Sequence, residues 1–184
     1  MLTPNEMKAK KYLFDFFIPT LHDLIETANP EAYLKWNRNT CRQSAVFGCH
    51  FLNKLLPEYE WTAWDGNFED VYLGRKVKYN HAWIYGSHKT RDKHLLVDLS
   101  VVNKERLFIE SPENTYPKDH PEYEHMIEVD RKQLDYRKMI ENEIEYYTQL
   151  SGPQVVHCLE LGIQERIERQ KLRSMNQKKK KKRK

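Results

Sequence analysis

Three residues of this chain have the types, order and spacing for nucleophilic chemistry: Cys41, then His81 forty residues later, then Asp98 seventeen after that. Asn39-Thr40 before the cysteine are capping residue types, so Cys41 is expected in the first turn of a helix. Unsatisfied backbone N–H groups gather there, and their partial positive charge favours a thiolate over a thiol. His81 lies in an aromatic and β-branched run, Tyr79 to Gly86, and Asp98 in the next, His94 to Ser100. With these runs paired as a hairpin and Gly86 opposite Lys93, His81 stands opposite Asp98 with Cβ atoms ~5 Å apart. A carboxylate so placed accepts one imidazole N–H and leaves the other nitrogen to face a thiol. Asp98 also interrupts an apolar stretch from Leu95 to Val102, where an unpartnered carboxylate would be costly. Each residue alone has a plain structural explanation, a packed thiol or a hydrogen-bonded histidine. The ordered set of three points to catalysis.

The elements that must position these residues follow from the hydrophobic pattern. Leu13, Phe16, Phe17, Leu21 and Leu24 recur at helical steps, with Pro19 expected to kink or split that helix. Ala45, Phe47, Cys49, Leu52, Leu55 and Leu56 repeat at close to helical period between Cys41 and Pro57, which predicts a central buried helix. Runs at 60–72, 76–86 and 94–102 predict three or four antiparallel strands, with Asp65-Gly66 as a turn signal. Ser111 to Pro121 reads as a surface loop. A helix is expected from Asp130 to Leu150, with Leu134, Ile140, Ile144, Tyr147 and, at its end, Leu150 as candidates for the inward face, and a last one from Gln154 to about Met175.

From Asn39 to Ser100 the chain resembles the transglutaminase-like branch of the papain-like thiol enzymes, in which a helix-start Cys precedes a His-Ala-Trp strand and then a Val-Asp strand. The matching segments are Asn39 to Ala45, Asn80-His81-Ala82-Trp83-Ile84-Tyr85 and Leu96-Val97-Asp98-Leu99-Ser100. The resemblance implies an α+β papain-like core, its nucleophile helix packed on a small antiparallel sheet and flanked by extra N- and C-terminal helices. It also implies thiol-dependent acyl transfer or hydrolysis of an amide bond, of peptidase, amidase, deamidase or transglutaminase type. Cys41 would attack the carbonyl, His81 would move the proton, and Asp98 would orient the imidazole. Two features depart from the pattern: Arg42 replaces the usual aromatic after the nucleophile, and no glutamine precedes Cys41 at the papain spacing. The Cys41 N–H remains an oxyanion donor, with Trp36, Asn37 and Asn39 as candidates for the second. Trp64, Trp83 and Tyr85 are candidates to line a substrate groove, although aromatic residues of this kind more often form core.

Composition bounds the rest. A chain of 184 residues with 39% hydrophobic and 32% charged residues suits one domain, taken as 1–164, followed by a basic extension, 165–184, expected to be disordered in isolation. That extension holds eleven Lys/Arg against two Glu, a net +9 within an overall +4, which leaves 1–164 at −5. Its last seven residues, Lys178, Lys179, Lys180, Lys181, Lys182, Arg183 and Lys184, are all cations suited to nonspecific contact with nucleic acid or an acidic partner. The alternative to an enzyme is therefore a non-catalytic protein-binding module of the same fold, with this lysine tail providing anionic contact. No membrane-length apolar run is present, and the first residues are amphipathic instead of forming an export signal. Three cysteines at irregular spacing read as reduced thiols. The expected setting is the cytoplasm, or the nucleus in a eukaryote. Cys49-His50 lacks the spacing of a zinc site and no phosphate-binding glycine loop is present, so neither metal nor cofactor is expected, and the expected substrate is protein or peptide.

Overall fold

A computed structural model describes residues 1–35, 37–100, 104–142 and 150–181. The chain is α+β. Helix α1 (Pro4–Tyr12) passes through a π-helical turn (Leu13–Phe17) into α2 (Ile18–Ala28), followed by the short α3 (Pro30–Lys35) and the central α4 (Cys41–Leu55). Strands β1 (Tyr59–Tyr72), β2 (Arg75–His88), β3 (His94–Asp98) and β4 (Leu107–Glu110) come next, then β5 (Ile127–Leu134), α5 (Tyr136–Asn142) and α6 (Gly152–Lys181). The strands form one antiparallel sheet in the order β4-β3-β2-β1-β5. Pro19 is the second residue of α2, and the irregular π turn falls just before it.

Two expectations about this region are corrected. Asp65-Gly66 is not a turn: both residues lie inside β1, opposite Ala82 and His81. The hairpin closes instead at Leu73-Gly74, whose φ values of 50° and 74° are those of a two-residue I′ turn, the type that matches strand twist. The segment from Asp130 to Leu134 is strand and not helix, because Ile127 to Leu134 pairs with Glu69 to Ala63 of β1 around a bulge at Asn67/Phe68. Its charged composition suits a solvated edge strand and hid the two-residue period. Helix follows only from Tyr136, and Ile144 and Tyr147 lie outside the described residues.

The sheet buries both faces. On one, the π turn, α2, α4 and α6 pack Phe17, Leu21, Phe47, Leu52 and Leu159 against Trp61, Ile84 and Val97. Gly48 lets α4 lie close, since a Cβ there would stand 2.5 Å from Leu99 Cδ1 and 2.9 Å from Ile84 Cδ1. The other face holds a smaller aromatic cluster of Phe68, Trp83, Leu96, Tyr116 and Tyr123. The expected surface loop at 111–121 lacks helix and strand, yet it closes this second cluster by inserting Tyr116, which is 5% exposed. Burying such rings contributes about 1.5–3 kcal/mol each relative to leaving them exposed. At the other end, α6 runs without a break through Glu165, where the sequence divides domain from basic extension. The Arg, Lys, Leu, Met and Gln there are good helix formers.

Candidate active site

Helix α4 begins at Cys41 after a left-handed pair, Asn37 and Arg38, with φ of 51° and 60°. That pair reverses the chain out of α3 and is a costly conformation for a residue such as arginine. The Asn39 side chain caps the helix start, its Oδ1 accepting the Cys41 N–H at 3.1 Å. Thr40 contributes no cap to the helix; its Oγ1 meets Ser44 Oγ at 3.1 Å and His22 Nε2 at 3.4 Å in a buried polar chain that continues to Tyr33. Arg42, the departure noted in the sequence, reaches across to the buried Asp65 on β1 and ties the first turn of α4 to the sheet.

His81 lies on the sheet face of the aromatic cluster, alternating with Ala82 and Ile84, which face α4. The observed β2–β3 register pairs Ile84 with Val97 and Ser87 with His94, two residues away from the expected one. A shift of two preserves the face, so His81 and Asp98 are diagonal neighbours and not directly opposed. Their side chains still meet, with His81 Nε2 2.7 Å from Asp98 Oδ2. The ladder stops at Ile84, and along the edge of β2 beyond it the start of α4 brings Cys41 near enough to the His81 ring to favour its charged form. Since Asp98 holds Nε2, Nδ1 is the nitrogen left for the sulfur.

The three groups are nearly dry: Cys41 is 8% exposed, His81 5% and Asp98 0%. Burial by itself lowers the His81 pKa, but the Asp98 carboxylate, and then Cys41, outweigh it and push the pKa up to about 10. The Asp98 carboxylate thereby favours the charged form of the imidazole. Asp98 is fully satisfied: Tyr116 Oη donates to Oδ2 at 2.9 Å, and the Ser100 N–H donates to Oδ1 at 3.2 Å. Tyr116 was not singled out in the sequence, because it lies in a proline-rich stretch with no periodicity. Only the unmatched need of a buried carboxylate for donors pointed to such a residue.

Beside His81 and Asp98 opens a cavity of about 340 Å³ with Tyr79, Tyr123, Met126 and the Asp70–Lys104 ion pair on its walls. Asn37 and Asn39 border it. Trp36, the other oxyanion candidate, lies outside the described residues. The proposed groove residues are elsewhere. Trp83 is 1% exposed and donates its indole N–H to Asn114 Oδ1. Trp64 donates to Thr62 and lies under Arg131, while Tyr85 stacks on His94. All three share the His81 face, but they sit further along the sheet, where they fill the smaller cluster or its rim.

The remaining thiols differ. Cys49 is sealed in the core, where burial raises its pKa strongly, and Cys158 is half-buried on α6. Among the described residues no three His, Cys, Asp or Glu side chains gather as a metal site, and no helix is long and apolar enough to cross a membrane. The fold thus defines an α+β chain with a helix-start thiol beside a histidine–aspartate pair. No family model matches it, nor does any curated protein or solved structure.

Proposed function

We propose that this chain is a cysteine-dependent acyl-transfer enzyme of the transglutaminase-like, papain-like kind, acting on an amide bond of a protein or peptide. The observation that carries the reading is the buried His81–Asp98 hydrogen bond of 2.7 Å, with Cys41 at the start of α4 close enough to influence the His81 ring. Cys41 Sγ attacks the carbonyl carbon and forms the tetrahedral adduct. The proton carried by His81 passes to the leaving amine, and a thioester on Cys41 remains. Water then gives hydrolysis, the default outcome, whereas an amine acceptor gives transfer. Asp98 fixes the ring orientation and stabilises its positive charge, and Tyr116 positions Asp98. The cavity beside His81 supplies room for part of the substrate.

A second reading, a non-catalytic binding module of the same fold, draws on one feature. The Cys41 N–H, the natural oxyanion donor, is engaged by Asn39 Oδ1. Catalysis needs that amide side chain to yield when substrate arrives. The two readings separate on exposure to an activated acyl donor, such as a peptide thioester or p-nitrophenyl ester, followed by mass mapping. An acyl adduct on Cys41 that turns over with water or an added amine supports the enzyme. No adduct at Cys41, under conditions where the donor acylates a free thiol peptide, overturns it.

A further inference from the structure

The active-site reading leaves the second half of α6 without a role. Its first half is anchored: Val155, Leu159 and Ile163 are buried, Lys54 pairs with Glu160, and Arg166 pairs with Asp23 of α2. From Glu168 to Gln177 every side chain is exposed, and the helix continues through Lys181. From Arg169 to Lys184 the sequence carries ten Lys/Arg and no Asp or Glu. An isolated helix with like charges at three- and four-residue spacing repels itself, so this arm suits a polyanionic surface.

We propose that the α6 arm is a docking element for double-stranded nucleic acid, recognised through its phosphates without regard to sequence. Charge density supports the match. Lys178 to Lys181 present one cation per ~1.5 Å of helix rise, close to the one charge per ~1.7 Å of a duplex. A helix ~10–12 Å across fits a major groove ~12 Å wide with phosphates on both sides. A bilayer surface fits less well, because Leu172 and Met175 are the only large apolar side chains exposed beyond Glu168, too little for an inserted face. Single strands also fit less well, since no aromatic residue follows Gln164 for bases to stack on.

The proposal is independent of the triad, and its test can be read without any enzyme assay. Fluorescence anisotropy would compare the full chain with a form lacking Lys178 to Lys184, using two labelled 24-base-pair DNA duplexes of unrelated sequence. The expected result is equal affinity for both duplexes, a loss of about 10³-fold between 50 and 200 mM salt, and a drop of at least ~30-fold on deletion. A Cys41→Ala variant should bind as tightly as the parent chain. Duplex binding unchanged by the deletion would overturn the proposal. So would equal or tighter binding to polyglutamate, to phosphatidylserine vesicles or to single-stranded DNA of the same length.

Discussion

Helix α4 carries two cysteines in two surroundings, and the contrast between its start and its middle is one of partners. Cys49 lies two turns in, 0% exposed among apolar side chains, and burial drives its thiol pKa far up. Cys41 is nearly as buried at 8%, yet it stands at the helix start against the cationic ring of His81. Exposure therefore does not distinguish the two sulfurs. The difference lies in the partners: Asp98 charges His81, and His81 offers that charge to one sulfur only. A thiol of the same type, on the same helix, without such a partner is packing material.

The contrast is broken most severely at its base. Asp98→Ala removes the acceptor shared by the buried His81 ring, Tyr116 Oη and the Ser100 N–H, and we expect a loss of about 3–5 kcal/mol in urea-unfolding stability. Removing the imidazole comes next: His81→Gln should slow alkylation of Cys41 at pH 6.5 by about 100-fold, measured by mass spectrometry, while Cys49 keeps its rate. Tyr116→Phe removes one of the three donors to Asp98 and should cost about 1.5 kcal/mol of stability, with alkylation slowed by a factor of about three.

The pH dependence is the smallest effect at neutral pH and the most specific. The folded His81 pKa is raised, so its stabilising contribution is complete below its unfolded value near 6.5 and is lost as pH rises through about 10. Nitrogen-15 shifts of the His81 ring should accordingly show the imidazolium at pH 7.5. His22 and His50, whose pKa values burial lowers, should be neutral there.

Much of this arrangement was legible because it follows from local chemistry. Helical period located α4, alternation and aromatic content located β2 and β3, and the misplaced charge of Asp98 called for a partner. The register was two residues out because it was extrapolated from Gly86 and Lys93, whereas the β3 ladder begins at His94 opposite Ser87. The face was nevertheless right, since side-chain direction depends only on parity. What stayed hidden was tertiary. The charged edge strand β5 takes its conformation from pairing with β1 and not from its own pattern. Tyr116 reaches Asp98 from an aperiodic loop. Of the expected groove aromatics, Trp83 is core of a second cluster that no periodicity announced, and Trp64 and Tyr85 pack partly buried against it.

The account rests on His81 activating one sulfur and not its neighbours, and a single experiment addresses that directly. The native chain is treated with iodoacetamide at pH 6.5, quenched at intervals and mapped for carbamidomethyl at Cys41, Cys49 and Cys158. Cys41 should be modified at least about 100-fold faster than Cys49 and clearly ahead of the half-buried Cys158. Modification of Cys41 as slow as that of Cys49 would contradict the account.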